Sequence, residues 1–210
     1  MLEDLNIEAV FTKIPNAVTV SYELPTGWNW FSINVKDENL NNPVALLEPI
    51  KQSVVSVLGR EEDLVYDDQY GLYGSLTAFK PDRGYKVRVK EDVDFSLKGI
   101  PFAENEVTIT LNKGWNWMGY TPNMEMSVNA ALCNLMAEEG DIVMAQDQFA
   151  TYDGAAWKGS LSVLAPGNAY LYYSGSVKSF NYPTGSSKMA IPMLSYRASE
   201  SYYFAKWQYD

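Results

Sequence analysis

The string Gly27-Trp28-Asn29-Trp30 occurs a second time as Gly114-Trp115-Asn116-Trp117, with every residue identical. Tryptophan is rare, and the two strings hold most of the 6 tryptophans in this chain of 210 residues. Chance is a poor explanation for such a match, so we interpret the chain as two copies of one structural unit. A duplication at this chain length restricts the fold to two similar small lobes.

The similarity between the copies extends to both sides of the motif. Residues 20–24 and 107–111 share an alternating apolar pattern, and Gly74-Ser75-Leu76 matches Gly159-Ser160-Leu161. We therefore expect a first lobe over 18–98 and a second lobe over 106–183. The remaining segments are predicted to be a strand or linker at 1–17, and a linker with an aromatic tail, the start of a further domain, at 184–210.

The interior of the copies is less similar. Residues 63–65 resemble residues 141–143, and this alignment makes the copies differ most at 66–73 and 146–158. Because loops tolerate insertions and often carry binding residues, we expect variable loops there and regard them as the places to look for function.

The apolar pattern predicts a mainly β (α+β) fold, in which each lobe is a small β-barrel or sheet with one short helix. Apolar and polar residues alternate over 18–24, as in a strand with one buried face. Residues 28–35 follow a turn that contains Gly27 and are also strand-like, so the two segments predict a hairpin. Later strand-like segments give each copy the order β-β-α-β-β-β-β.

Capping signals predict where the helices begin. Asn42-Pro43 is typical of a helix N-terminus, and a second helical stretch is expected over 49–59. In the second copy Ser127 is the expected N-cap and Gly140 the expected C-terminal glycine. The apolar stripe of that helix is predicted to contain Ala130, Ala131, Leu132, Leu135 and Met136.

Net charge and composition exclude several classes of function. A net charge of −10 disfavours nucleic acid and anionic membrane surfaces, which need clustered Lys and Arg. The chain has no histidine, so histidine triads, bases and zinc sites are excluded. Cys133, the single cysteine, is expected to be a small core residue beside the helical stripe. We predict a protein that is not an enzyme and that uses no cofactor and no metal.

The sequence shows no targeting or membrane segment. The N-terminal residues lack the basic start and long apolar run of a signal peptide. No apolar run reaches the length of a membrane span. If the native protein is secreted, this chain is expected to be a mature fragment.

Three aspartates raise the alternative of a calcium site. Asp141, Asp147 and Asp153 are close in sequence, and oxygen-rich loops can bind calcium. Their spacing differs from that of an EF-hand, and Asp153-Gly154 is typical of a tight turn. We predict a turn, with a weak calcium site near Asp147 and Asp153 as the alternative.

The tryptophans of each repeated motif point the same way if they lie in a strand. On a buried face, Trp28, Trp30, Trp115 and Trp117 would be core anchors that follow the turn glycines Gly27 and Gly114. On an exposed face, the rings would form a platform on which sugars stack. Because tryptophan buries a large area and a small lobe needs such anchors, we favour the core.

A second group of aromatic residues lies in or near the variable loops. Trp157 is aligned with Leu72, so it is not a shared anchor, and we place its ring at the surface together with those of Tyr152 and Phe149. The predicted ligand-binding residues are Trp157, Tyr152, Phe149, Tyr70 and Tyr73.

The motif set continues beyond Gly-Trp-Asn-Trp with Gly-Asp-Ile-Val at 140–143, Gln-Phe-Ala-Thr-Tyr-Asp at 148–153, Trp-Lys-Gly-Ser-Leu at 157–161 and Leu-Ala-Pro-Gly-Asn-Ala-Tyr at 164–170. Together these motifs resemble a repeat found in tandem in secreted and surface proteins of gut Bacteroidetes. The resemblance covers residues 18–183 and is closer over 107–183. In the first copy, residues 67–70 replace the longer Phe-Ala-Thr-Tyr-Asp segment. The resemblance implies an extracellular, non-catalytic module beside other domains, and it supplies no ligand and no catalytic residues.

Two functional hypotheses follow. The first is an extracellular structural or adhesive module of a multidomain bacterial surface protein, whose partner is a protein or glycan at the cell surface. The alternative is a carbohydrate-binding module attached to a glycan-processing protein. A glycosidase that uses carboxylates alone is a third option, which needs two carboxylates facing each other across a cleft.

Overall fold

The computed structural model describes residues 17–103 and 105–183. The predicted N-terminal strand or linker, apart from its last residue, and the predicted aromatic tail lie outside these ranges. No helix in the described ranges is long and apolar enough to cross a bilayer.

The prediction of a mainly β fold is confirmed. In the first lobe, helix α1 spans Pro43–Leu47, with short 3₁₀ segments at Glu38–Asn41 and Glu48–Ile50 on either side. The strands of this lobe are β1 (Val18–Leu24), β2 (Gly27–Ser32), β3 (Val35–Lys36), β4 (Val54–Leu58), β5 (Asp63–Asp67), β6 (Gly71–Gly74), β7 (Gly84–Val89) and β8 (Val93–Pro101).

The second lobe contains one helix, α2, at Val128–Ala131. Its strands are β9 (Ile109–Leu111), β10 (Gly114–Gly119), β11 (Met126–Ser127), β12 (Ile142–Met144), β13 (Phe149–Tyr152), β14 (Trp157–Gly159), β15 (Val163–Leu164), β16 (Ala169–Ser174) and β17 (Lys178–Phe180).

Each lobe is built on an antiparallel five-stranded sheet with its own hydrophobic core. The strand orders are β2-β7-β4-β5-β6 and β10-β16-β12-β13-β14. In each lobe a smaller sheet, β1-β8-β3 in the first and β9-β17 in the second, packs against the inner face of the five-stranded sheet. Its side chains Leu24 and Phe95, or Leu111 and Phe180, are buried in the core between the two sheets. The two lobes therefore share a strand order, while the duplication itself stays a prediction from the repeated motif.

The predicted hairpin is wrong, because β1 and β2 do not pair with each other. β1 pairs with β8, and β2 pairs with β7. The chain changes sheets at Gly27, whose φ of 108° suits glycine. Asn29 holds the corner, since its side-chain amide donates to the carbonyls of Pro25 (2.8 Å) and Gly27 (3.3 Å). The motif thus encodes a corner between two sheets.

The second Gly-Trp-Asn-Trp string forms the same corner. Gly114 has a φ of 94°, and the Asn116 amide donates to the carbonyls of Asn112 (2.8 Å) and Gly114 (2.9 Å). Asn116 also donates to the carbonyl of Tyr172 on the neighbouring strand. The buried asparagine therefore explains why the motif is not simply a pair of aromatic residues.

The helix starts are correct, but the helices are shorter than predicted. The Asn42 and Ser127 side chains cap α1 and α2 as expected. Residues 54–58 form strand β4 and not a helix, because the β-branched Val54 and Val57 fill the core beneath the sheet. α2 ends at Ala131, so Gly140 lies in a later turn.

Early termination of α2 changes which side chains of the predicted stripe are buried. Ala131, Leu132 and Leu135 are in the core as predicted. Met136 is 85% exposed, and Cys133 is exposed, so their predicted burial is wrong. The chain after α2 is irregular, so the helical period that predicted burial of Met136 and Cys133 does not apply to it.

The strand order also corrects the alignment of the interior. Val54–Leu58, and not residues 63–65, occupies the place of Ile142–Met144 as the central strand of its sheet. The two β-hairpins that follow, β5-β6 and β13-β14, are then of similar length. The predicted insertions at 66–73 and 146–158 are therefore wrong.

Gly-Ser-Leu is a second shared corner, at the end of these hairpins. A Cβ on Gly74 would lie 2.2 Å from the carbonyl oxygen of Asp63, and one on Gly159 would lie 2.1 Å from that of Phe149. The following leucine donates its N–H to the same carbonyl in both lobes, Leu76 to Asp63 (2.9 Å) and Leu161 to Phe149 (3.0 Å). Only glycine allows this close approach.

The lobes join through two matching backbone hydrogen bonds. Ser32 N–H donates to Gly167 O at 2.8 Å, and Gly119 N–H donates to Asp82 O at 3.2 Å. Ser32 and Gly119 each end the motif strand of their lobe, so the junction is nearly two-fold symmetric. A Cβ on Gly119 would lie 2.2 Å from Pro81 O, which explains the glycine.

Candidate functional site

The repeated tryptophans lie on the outer faces of the two five-stranded sheets, and their predicted burial is wrong. Trp28 is 40% exposed and Trp115 is 45% exposed, and Trp30 and Trp117 are partly exposed. Alternation along the strand turns the residue that follows each motif, Phe31 or Met118, into the core. We call the two outer faces together the tryptophan face.

In the first lobe, the tryptophan face carries charged and polar side chains beside the rings. Strand register places Trp28 opposite Arg88, and Trp30 opposite Lys86. Two rows of side chains cross the sheet on this face. One row is Trp28, Arg88, Ser56, Val65 and Tyr73, and the other is Trp30, Lys86, Leu58 and Asp63. None of these residues is buried.

In the second lobe, the tryptophan face is largely apolar. Trp115 is opposite Tyr173, with the two ring centroids 5.4 Å apart, and Trp117 is opposite Leu171. The rows continue outward as Trp115, Tyr173, Ile142, Thr151 and Lys158, and as Trp117, Leu171, Met144 and Phe149. Exposed apolar surface of this kind marks an interaction site more often than isolated exposed residues do.

Lys86 connects the two outer faces at the lobe junction. Its Nζ lies 4.7 Å from the ring centroid of Trp30 and 4.7 Å from that of Trp117. A cation held between two indole faces is attracted by both ring quadrupoles. The tryptophan face is therefore continuous across the two lobes.

The predicted ligand-binding residues divide between the two sides of the sheets. Phe149 and Tyr73 lie on the tryptophan face and are each 50% exposed. Tyr70 lies in the exposed turn between β5 and β6, with its ring centroid 6.4 Å from that of Tyr73. Trp157 and Tyr152 lie on the inner side.

Trp157 is only 7% exposed, so the prediction of a surface ring is wrong. Its ring packs against those of Tyr152 (5.4 Å) and Tyr172 (5.8 Å) in the second core. Trp157 occupies the place that Leu72 has in the first lobe, as the sequence match indicated. Trp157 is paired with Tyr152 on the preceding strand, and Leu72 is paired with Tyr66 in the same way. Because strands place alternate residues inside, Trp157 is a core anchor and cannot stack on a ligand.

Two of the three aspartates of the calcium alternative have separate structural roles. Asp141 is buried, and its carboxylate accepts from the hydroxyl of Tyr172 (2.8 Å) and the ammonium of Lys178 (2.7 Å). Asp153 holds the predicted turn by accepting from two backbone N–H groups. No group of three acidic or cysteine side chains within the described ranges could hold a metal ion.

The Asp141 network has clear electrostatic consequences. Burial alone would raise the pKa of Asp141, but hydrogen bonds from Glu138 N–H, Lys178, Gly175 N–H and Tyr172 lower it below its ordinary value. Burial, and then the hydrogen bond to Asp141, raise the pKa of Tyr172. The network is therefore an ionised structural element of the second core.

A polar cleft also lies at the lobe junction, and Trp30 contributes to its lining. It has a volume of about 620 Å³ and is bounded by β1, the β2 corner and loops of the second lobe. The carboxylates Glu23, Glu125 and Asp147 at its rim are solvent-exposed. Beside it, the buried Asn34 has a side-chain oxygen with no hydrogen-bond partner, at the edge of a smaller cavity of about 270 Å³.

The residues that complete the tryptophan face were not identified from the sequence. Lys86, Arg88, Leu171 and Tyr173 lie on β7 and β16, the strands that pair with the motif strands. The pairing of β2 with β7 places Lys86 and Arg88 beside the tryptophans. The predicted hairpin pairs β2 with β1 instead, so it does not identify these neighbours.

Comparison with known proteins gives no relative. No family model matches the chain, and neither a curated protein nor a solved structure matches it.

Proposed function

We propose that the chain is a non-catalytic binding module that holds a glycan on the tryptophan face, within a bacterial surface or secreted protein. The observation that carries the proposal is the exposure of Trp28 and Trp115 on sheet faces that meet through Trp30, Lys86 and Trp117. Flat apolar rings flanked by hydrogen-bonding groups suit a sugar, which offers C–H groups on its faces and hydroxyls at its edges.

The rings are well placed for stacking because the sheet fixes them. Tryptophan has two side-chain torsions, so little conformational entropy is lost when a ligand binds to it. Neighbouring strands are spaced by about 4.8 Å, so a row that crosses five strands extends about 19 Å. This length suits an extended oligosaccharide better than a single sugar.

A glycan array followed by titration of tryptophan fluorescence tests the proposal. We expect the full chain to bind a glycan class on the array. Trp28→Ala and Trp115→Ala should each weaken that binding by roughly tenfold or more, in the range of interface anchors. Met136→Ala is the matched control, since this side chain is 85% exposed but lies outside the tryptophan face.

The outcome that contradicts the proposal is an array without binding, or binding that both tryptophan variants retain in full. In that case the polar cleft, tested by Glu125→Gln, becomes the better site.

An adhesive contact with a protein is the second candidate, and the apolar outer face of the second lobe favours it. Trp115, Tyr173 and Phe149 are all exposed on that face. Aromatic residues are enriched where proteins meet. Under this alternative, Phe149→Ser should weaken adhesion to protein-coated surfaces while glycan binding stays absent.

A further inference from the structure

We infer that the glycan is acidic, and that Lys86 and Arg88 bind a sugar carboxylate between the tryptophan rings. This inference rests on the proposed function and adds the chemical class of the ligand. It depends on two cations that the sheet places on the tryptophan face.

Lys86 offers an ammonium group that no carboxylate of residues 17–103 and 105–183 neutralises. It lies 4.7 Å from the ring centroids of both Trp30 and Trp117, and it makes no ion pair within the described part of the chain. The rings attract the cation but offer no hydrogen-bond acceptor. Its N–H groups are therefore available to an anionic ligand that stacks on the rings.

Arg88 provides the second cation on the same outer face. It is two residues from Lys86 on β7, which separates their backbones by about 6.7 Å. Its side chain is exposed opposite Trp28, and it has no ion pair with a described carboxylate. A guanidinium can bind a carboxylate through two parallel hydrogen bonds, which fixes the orientation of the sugar.

The charge distribution favours a carboxylate over a neutral group. In the row of Lys86, the first acidic residue is Asp63, two strands further across the sheet, and its carboxylate accepts from Ser75 at 2.8 Å. The row of Arg88 contains no acidic residue. In a chain of net charge −10, this face is therefore a local site of positive charge where an anionic sugar can bind.

Both cations of the site belong to the first lobe. The second lobe has Leu171 and Tyr173 in the corresponding positions, opposite Trp117 and Trp115. We therefore expect the acidic sugar to bind near Lys86 and Arg88, while the second lobe contacts the glycan through apolar stacking alone.

The test compares an oligogalacturonate with its fully methyl-esterified form, which keeps the sugar rings and removes the charge. For the full chain, we expect binding of the acid to be roughly tenfold tighter than binding of the ester, and the difference to shrink as salt screens it. Lys86→Met should reduce binding of the acid to the level of the ester. Methionine keeps an apolar stem between the rings, so binding of the ester should not change.

Arg88→Gln should act in the same direction, and Lys98→Gln is the control for a general loss of positive charge. Lys98 is exposed on β8, in the other sheet of the first lobe. Equal binding of acid and ester, or a preference for the acid that survives both Lys86→Met and Arg88→Gln, overturns the inference and leaves glycan binding intact. Absence of binding to both acidic and neutral members of a glycan array overturns the proposed function itself.

Discussion

On the outer face of the first lobe, the strand beside the tryptophans carries Lys86 and Arg88, whereas its counterpart in the second lobe carries Leu171 and Tyr173. The backbones around these positions have the same strand order and the same antiparallel pairing. The difference therefore lies in side chains alone. The shared sheet fixes the positions of the tryptophan rings, while the residues of the neighbouring strand, β7 or β16, determine whether charged or apolar side chains lie beside them.

The inner faces differ in a complementary way. The centre of the first core contains the apolar Val87. The second core has Tyr172 at the corresponding place, and its hydroxyl donates a hydrogen bond to the buried Asp141. Leu72 in the first core is likewise replaced by the larger Trp157. The second lobe thus combines an apolar outer face with a more polar and more aromatic interior, and each part of this contrast can be tested.

The largest effect is expected at the aromatic anchor of the second core. Trp157→Ala should lower the free energy of unfolding by about 4 kcal/mol, because a large buried ring is lost. Leu72→Ala should cost about 3 kcal/mol at the same place in the first core. Urea denaturation followed by circular dichroism measures both, and a Trp157→Ala cost below that of Leu72→Ala would contradict the anchor role.

Next comes the buried carboxylate. Asp141→Asn should cost about 3 kcal/mol, because the largely buried Lys178 loses its buried carboxylate partner and keeps only the exposed Glu138 at 3.7 Å. Asp68→Asn in the exposed first-lobe turn should cost less than about 0.5 kcal/mol. Urea denaturation of both variants decides whether the second core needs the ion pair; equal costs would show that it does not.

The same carboxylate gives the second lobe a pH dependence. Since the pKa of Asp141 is lowered in the folded chain, its contribution to stability is present above the unfolded pKa of about 4. That contribution is lost as the pH falls through the lower folded pKa. Melting temperatures measured from pH 6 to 2 should therefore fall more steeply for the native chain than for Asp141→Asn. Parallel curves would refute the assignment.

A smaller effect is expected at the lobe junction, where the near symmetry is broken. The Ser32 hydroxyl donates to Asn168 O at 2.7 Å and accepts from Tyr120 N–H at 3.1 Å, whereas Gly119 has no side chain. Ser32→Ala should cost about 1.5 kcal/mol, since the buried Tyr120 N–H loses its acceptor and the partly buried carbonyl of Asn168 loses a donor. Ser96→Ala, at an exposed position of β8, is the control, and a cost at Ser32 no larger than at Ser96 would argue against this contact.

The smallest effects on stability are expected for the exposed tryptophans. Trp28→Ala and Trp115→Ala should each change the free energy of unfolding by less than about 1 kcal/mol, because both residues lie on the outer faces and neither belongs to a hydrophobic core. Denaturation curves check this directly. A loss above about 2 kcal/mol would restore the prediction that these rings are core anchors.

The sequence by itself determined the local features of the fold. Alternation over residues 18–24 predicted β1 with its bounds, and Asn42-Pro43 predicted the start of α1. The match of Trp157 with Leu72 also held. These signals depend on periodicity or capping within a few residues, which a single sequence displays directly.

Only the tertiary structure decided which side of each sheet faces solvent. The spacing in Gly-Trp-Asn-Trp placed both tryptophans on one face, but it is equally compatible with either face. The choice depends on distant pairing: β2 lies beside β7, and the smaller sheet containing β8 covers the side occupied by Asn29 and Phe31. Such contacts join residues that are far apart in the chain. The repeated motif therefore reveals a turn and the fact that its two tryptophans point the same way, while the packing of the sheets decides that they point toward solvent.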